Sequence, residues 1–340
     1  MRSGAFGSFK QPSGEALPEE QSPKVAAILT CYNEGPYIGA AVDSILAQTR
    51  ADLIQDIVIA DDGSKEDTLA VLRELETKDS RIKVIYGPGG NGISRQRNIA
   101  VSSTSAPYLA FLDGDDLWHE KRLEIQLPII ESDDTIGLIY SAFHTFSDGD
   151  LASARIANVI DLSGSQNLTI DYFLNDPPII PSAMIVRRSN FEAIEGFDET
   201  VAVFEDTDFF IRMSRVCRFG FVSDSLVFKR VWSDSITSGR TDLMAHHALV
   251  ALKAASVQPE LYGLVSKRLS ERARKLANMR FLLGDREFAQ IFSSLALGFQ
   301  PFSIGNVTAW ALARLPDAAG EFLRQKVFHK KIAAVKIGQG

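Results

Sequence analysis

The hydropathy pattern predicts an α/β fold: a doubly wound, mostly parallel sheet followed by a helical C-terminal extension. Three observations carry that prediction. Short apolar runs alternate with amphipathic segments from Val25 to about residue 117. Three of the first four runs end in polar or acidic clusters, as strands do when their carboxyl ends line a ligand crevice. From about Leu243 the apolar spacing becomes wholly helical.

The elements follow in order. "VAAILT" from Val25 reads as a buried strand, and "CYNEGPYIGAAVDSILAQT" carries helical spacing at Ile38, Val42, Ile45 and Leu46. "IQDIVIADDGS" is a second strand ending in acids, "EDTLAVLRELETKD" an amphipathic helix, and "RIKVIYG" a third strand. "ISRQRNIAVSST" is the next helix, and "YLAFLDGDD" the fourth strand. After Leu117 the alternation loosens. "IGLIYSAFHTF" and "PPIIPSAMIVRRSNF" read as strands around a polar loop over residues 147–167. "EGFDETVAVFEDTDFFIRMSRV" reads as a turn and a helix from near Glu205, and "FGFVSDSLVFKRVW" as a last pair of strands. Beyond Leu243, apolar residues at Leu249, Leu252, Leu264, Leu269, Leu276, Phe281, Leu282 and Leu283 mark helices. The expected organisation is a solvated tail over 1–23, an α/β unit over 24–240 and a helical region over 241–340.

Composition narrows the function classes. The 340 residues are 45% hydrophobic and 23% charged, ordinary for a globular chain. A formal net charge of -7 leaves no global basic field to attract nucleic acid. Cys31 and Cys217 sit inside apolar patterns without metal-type spacing and are expected to be reduced core thiols. No apolar stretch approaches the ~20 residues that span a bilayer, and the Gly-, Ser-, Pro- and Glu-rich N-terminus has no signal-peptide core. The chain is therefore expected in the cytoplasm.

The polar strand ends are Thr30 to Glu34, Asp61-Asp62-Gly63-Ser64 and Asp113-Gly114-Asp115-Asp116. Each alone fits a loop or a helix cap; three at one sheet edge point to a ligand. In "YLAFLDGDDLWHEKR" an apolar run ends in crowded carboxylates, which repel unless a cation or a hydroxyl-bearing ligand compensates them. "GPGGNG", residues 87–92, satisfies the dinucleotide G-x-G-x-x-G pattern, and Asp113 ends the next strand. Yet it lies in the third unit, Pro88 stiffens its turn, and the other acidic strand ends stay unexplained. An EF-hand loop from Asp113 would use Asp115 and Glu124, but Leu117 and Trp118 replace its third acid and its glycine. Asp113-x-Asp115 suits a different use, one acid on ligand hydroxyls and the other on a hard cation, Mg²⁺ or Mn²⁺, bridging a diphosphate. Arg95 and Arg97 nearby suit phosphate oxygens.

"ILTCYNEGPYI", "IVIADDGSKEDT", "NGISRQRNIAVSSTSAPYLAFLDGDDLW" and "FEDTDFFIRM" together resemble the successive signatures of family 2 inverting glycosyltransferases with the GT-A fold. The likeness runs over about residues 24–235. It implies that Thr30, Tyr32 and Glu34 line a nucleotide pocket, with Tyr32 near the base and Asp62 accepting a hydrogen bond from it. It implies Arg95 or Arg97 near the diphosphate or base, Asp113 on ribose or sugar, and Asp115 on the metal. Glu205-Asp206 matches the acidic pair beside the acceptor, with Asp206 the general base and Glu205 the fallback. Asp116 is expected to cap or orient its loop.

Single displacement with inversion needs one base and a stabilised leaving group, which this set supplies. Many relatives carry a histidine in the last strand region, where this chain has Trp232. His246 and His247 are expected on a helix face. The acceptor side is expected around Ser182, Ala183 and the loop after Phe146. The basic end, with Lys326, Lys330, Lys331 and Lys336 among Val327, Phe328 and Ile332, suits a membrane-surface helix at the inner face of the plasma membrane. The implied partners are a nucleotide-sugar donor, with UDP expected, and a saccharide or lipid-linked acceptor. Two alternatives stand beside this reading. One is a nucleotide-sugar-binding pseudoenzyme. The other is a sugar-1-phosphate nucleotidyltransferase, which wants a basic glycine-rich loop where this chain has the acidic "TCYNEGPYIG".

Overall fold

A computed structural model describes residues 25–147, 150–231 and 242–328. Nine strands form one sheet: β1 Val25–Cys31, β2 Ile54–Asp61, β3 Ile82–Tyr86, β4 Tyr108–Asp113, β5 Leu117–Trp118, β6 Ile136–Ser147, β7 Asp150–Ile156, β8 Met184–Arg187 and β9 Arg218–Val231. The order is β3-β2-β1-β4-β8-β6-β9-β5, with β7 paired on β6. The β3-β2-β1-β4 half is parallel, linked by α1 Gly35–Leu46, α2 Glu66–Lys78 and α3 Ile93–Ser102. Beyond β4 the sheet is mixed: β8 is antiparallel to β4 and β6, while β6 and β9 run parallel.

β1 is buried along its whole length, and both faces of the sheet are covered. That burial accounts for its unbroken apolar run, since a strand covered on both sides has no solvent face to alternate with. A fully buried guanidinium joins the two halves. Arg122, on α4 Arg122–Ser132, donates to the carbonyls of Phe111 and Met184 and to Gln126, and lies 4.2 Å over the Trp118 ring.

Two expectations change. The described part of "FGFVSDSLVFKRVW", through Val231, belongs to one fourteen-residue strand, β9, and not to a pair, because irregular pairing on β6 absorbs its polar middle, Ser223 to Ser225. The polar loop over 147–167 contains a strand, β7, which is mostly exposed and so lacks the apolar signal of a core strand.

After α5 Leu168–Asn175, α6 Arg188–Ala193 and α7 Glu205–Met213, the helical region comprises α8 Leu243–Val257, α9 Val265–Leu283, α10 Arg286–Phe299, α11 Ile304–Ala313 and α12 Asp317–Phe322. It shares the main core: Val250, Ala251, Ala254, Leu261 and Leu269 pack in one cluster with Leu138, Phe209, Phe210 and Phe219. Among the described residues no helix is long and apolar enough to cross a membrane. Cys31 and Cys217 form no disulfide, and burial pushes both thiols up to about 12.

Candidate active site

Strand register puts the polar clusters side by side. Thr30 pairs with Ala60 on one flank and Asp113 on the other, and Cys31 pairs with Asp61. The first two loops are stitched together by Asn33, whose φ of 58° is left-handed. Its amide donates to Ser64 Oγ at 2.8 Å, and its Oδ1 accepts the Lys65 amide at 2.9 Å. Thr30 is buried beside this junction, while Tyr32 is 60% exposed, an aromatic face left open at the mouth.

Asp61 turns inward and accepts the Gly63 and Ser64 amides. Asp62 holds the glycine loop, accepting the Asn91 and Gly92 amides at 3.0 Å each and Gln96 Nε2 at 2.8 Å. Partial burial works against its charge, but these hydrogen bonds outweigh it and keep the carboxyl below its ordinary range. Gly63 must be glycine: its φ is +74°, and an added Cβ would lie 2.6 Å from Gly89 Cα. "GPGGNG" is therefore a collar around a carboxylate. Amides that would cradle a phosphate in a dinucleotide site are already turned onto Asp62.

Asp116 is buried and accepts Ser182 Oγ at 2.6 Å and the Arg230 amide at 2.9 Å. Ser182 Oγ in turn accepts the Asp113 amide at 3.0 Å, so Asp116 orients the loop, as expected. The same network corrects the acceptor expectation. Ser182 and Ala183 are buried and support the acidic loop from behind, with no surface to offer an acceptor. Arg230 Nε donates to the Asp115 carbonyl at 3.0 Å, and its guanidinium lies over the rings of Tyr37 at 4.6 Å and Phe146 at 4.7 Å.

Glu34 closes onto this loop. A Cβ at Gly114 would lie 2.8 Å from the Thr30 carbonyl and collide with Glu34 Oε2. That oxygen is buried and has no hydrogen-bond partner among the described residues. Burial, then Asp115 and Asp113, push the Glu34 carboxyl up to about 9. Burial, Asp115 and Asp113 also raise Asp116.

Arg97 joins the two acidic groups. Fully within the protein, it donates to Asp113 Oδ1 at 2.8 Å and to Glu205 Oε1 at 3.0 Å, with its guanidinium 5.0 Å over the Phe197 ring. Burial disfavours its charge, but Asp113 and Glu205 outweigh that and hold it protonated. Arg95, two residues earlier on α3, is exposed. Of the two arginines only Arg97 stands among these carboxylates.

Glu205 and Asp206 open α7, Glu205–Met213. Phe204 before them has a left-handed φ of 62° and stacks on His247 at 3.9 Å between ring centroids. His247 is thus buried against the site helix and not on a solvated face, and burial lowers its pKa to about 3. Burial first, then Glu205, push Asp206 up to about 6, against the pull of Arg97 and Lys229. Asp206 Oδ1 accepts the Thr207 amide at 2.7 Å.

The helical region fastens α7 from behind. Lys253 of α8 donates to Asp208 and Asp198 at 2.6 Å each. Asp176 (φ 46°) is paired with Arg268 and Arg272 of α9 and accepts Thr207 Oγ1 at 3.4 Å. Sequence reasoning missed Gln96, Lys229, Arg230, Lys253, Arg268 and Arg272, because none sits in a patterned cluster. The one available signal was Gln96, between the two arginines of "SRQRN". Trp232 lies outside the described residues.

The donor set bears on the expected metal. Among the described residues no three His, Cys, Asp or Glu side chains are grouped to enclose an ion. Glu34 nonetheless keeps one buried oxygen without a hydrogen-bond partner among the described residues, and the charges of Asp115 and Asp113 act on it. Carboxylate oxygens of this kind suit a hard divalent ion that takes most of its shell from a diphosphate and few ligands from the protein.

The family model described as glycosyl transferase family 2 matches residues 26–195. The chain belongs to this family. Chondroitin synthase of Pasteurella multocida is 28% identical over 233 residues, 65% of this chain and 22% of that protein. The Escherichia coli UDP-Glc:alpha-D-GlcNAc-diphosphoundecaprenol beta-1,3-glucosyltransferase WfgD is 30% identical over 133 residues, 39% of this chain and 51% of that one. This family member thus spans between about a fifth and a half of those relatives' length. In fold it is similar to Staphylococcus aureus (S. aureus) TarS 1-349, solved with UDP-GlcNAc, at TM-score 0.59 and 17% identity over 89% of this chain and 92% of that one. It is also similar to the mannosyltransferase PcManGT of Pyrobaculum calidifontis, solved with GDP-Man and Mn²⁺, at TM-score 0.58 and 17% identity over 97% and 89% of the two chains. The GT-A fold implied by the motifs is the fold found.

Proposed function

We propose that this glycosyltransferase domain transfers a sugar from a nucleotide-diphosphate donor, with UDP favoured, to a hydroxyl of a saccharide or lipid-linked saccharide, inverting the anomeric carbon. The observation that carries the proposal is the Arg97 bridge, which joins donor-side Asp113 to acceptor-side Glu205 beside Asp206. Asp206, raised toward neutral pH, is a base matched to a sugar hydroxyl. It takes the hydroxyl proton as the oxygen attacks from the face opposite the leaving nucleotide, with Glu205 as the neighbouring carboxylate. Asp113 receives ribose or sugar hydroxyls, Tyr32 stacks on the base, and Asp62 accepts from its edge while holding the glycine collar.

Asp115, with Asp113 and Glu34 close by, would hold Mn²⁺ or Mg²⁺, whose chemistry is to neutralise the departing diphosphate. The named donors of the relatives, UDP-Glc in WfgD and UDP-GlcNAc with TarS, support UDP as the first nucleotide to try. The GDP-Man and Mn²⁺ of PcManGT keep GDP and the cation in the test. Incubation with UDP-, GDP- and dTDP-sugars and Mn²⁺, read by nucleoside diphosphate release, should select one donor. Asp115→Ala should lose Mn²⁺-dependent donor affinity in calorimetry. Tight donor binding without any release would favour the pseudoenzyme, and pyrophosphate formation the nucleotidyltransferase.

A further inference from the structure

We propose that a cationic face of α9, beside the acceptor-side base, receives a phosphate group carried by the acceptor. The inference rests on the transfer reading above and deepens it by naming the acceptor's chemical class. Arg268, Arg272 and Lys275 stand at positions i, i+4 and i+7 of α9 and so share one face of that helix. A single carboxylate answers both arginines: Asp176 pairs with Arg268 at 3.2 Å and with Arg272. Glu271, the acid on the same helix, is matched by Arg274. With Lys275 as a third cation against one carboxylate, the face is left with positive charge in excess.

Like charges are crowded here. Lys275 is an exposed residue, yet partial burial of its amine and then Arg272 push it down to about 8; Glu271 pulls the other way, and Arg274 and Arg268 add to the fall. Burial lowers Arg268 and Arg272 to about 10, so both stay charged at neutral pH. Arg268 and Lys275 also act on His247, so the cluster reaches α8. Two buried nitrogens of this group, Arg268 Nε and His247 Nδ1, have no hydrogen-bond partner among the described residues. Cations crowded beyond their matching acids destabilise a fold unless an anion neutralises them, a cost that binding sites bear.

Position and charge together name the ligand. Asp176 accepts Thr207 Oγ1 at 3.4 Å, one residue beyond the base, and Asp206, Arg268 and Arg272 all act on buried Tyr172. The cationic face therefore borders the end of α7 at which transfer takes place. The donor-side carboxylates lie within residues 26–195, which the family model matches, whereas α8 and α9 lie beyond them. Planar guanidiniums and an ammonium in excess suit the several oxygens of a diphosphate or phosphodiester better than a lone carboxylate. The basic end expected at a membrane surface, with Lys330, Lys331, Ile332 and Lys336, lies outside the described residues and has no part in this site.

Calorimetric titration of the full chain in EDTA, with no donor present, tests the site. Inorganic pyrophosphate and diethyl phosphate are titrated in turn. Lys275→Met should weaken the probe that the parent binds by about tenfold, while Lys267→Met, an exposed lysine on another side of α9, should not. Lys275 is exposed, so the melting temperature should not fall. Preference for pyrophosphate assigns the diphosphate of a lipid-linked acceptor, and preference for diethyl phosphate a phosphodiester within the acceptor chain. No binding by the parent, or equal binding by parent and Lys275→Met, would overturn the proposal. So would tighter binding of methyl glucuronide, which would assign the face to a carboxylate. Donor and turnover are absent from this readout, so such a failure strikes this site alone and nucleoside diphosphate release still judges transfer.

Discussion

Replacing Asp206 by Asn separates catalysis from stability with opposite signs. The parent carboxyl is pushed up from 3.8 to about 6 by burial and by Glu205, so at alkaline pH the fold carries a charge it disfavours. A rise of that size corresponds to about 1–3 kcal/mol. The sign follows from proton uptake: between the two pKa values the folded state binds more protons than the unfolded one. Stability therefore falls as pH rises through about 4 to 6 and stays lower above it. Asn keeps the oxygen that accepts the Thr207 amide and removes the charge. At pH 8 the variant should melt a few degrees higher than the parent, and the gap should close as pH approaches 4. Turnover should fall on the order of 10²–10⁴, and the parent's rate should climb through about pH 6 as the base deprotonates. Scanning calorimetry and nucleotide release over pH 4 to 8 measure both. Unchanged turnover, or a variant less stable than the parent at pH 8, refutes the assignment.

Other substitutions probe the supports. Gly114→Ala forces a methyl onto Glu34 Oε2 and the Thr30 carbonyl, so urea denaturation should show a loss of about 1–3 kcal/mol together with weaker donor binding. Arg97→Lys keeps the charge but not a fork spanning Asp113 and Glu205; kcat should drop at least about tenfold with a smaller change in donor affinity. Lys253→Met removes the cation shared by Asp198 and Asp208 and leaves Asp208 to Arg212 alone, and should cost about 1–3 kcal/mol by denaturant titration.

The parallel half was legible because strands buried on both faces read as continuous apolar runs, and because their carboxyl ends expose acids abruptly. The acidic pair before "TDFFIRM" was legible for a similar reason, marking a helix start. β7 escaped because an exposed hairpin strand has no core to pattern it. The supports escaped for another reason. Ser182, Lys229 and Arg230 reach the acidic loop only through the pairing of β8 and β9 into the sheet, which sequence spacing does not encode. His247 is on a helix, as expected, but its burial was not legible because it depends on the left-handed Phe204 ring lying over it.

The fastening of α7 also sets an order of assembly during synthesis. The acidic pair at 205–206 leaves the ribosome well before Lys253, Arg268 and Arg272, the cations that pin its helix and the neighbouring Asp176. A nascent chain halted before residue 253 holds every carboxylate of the crevice but none of these three clamps. The loops that end the first strands, being local in sequence, form early; the helix that begins with Glu205 and Asp206 is pinned last. The growing protein thus completes the acidic strand ends before it fixes the carboxylate pair that Arg97 joins to them.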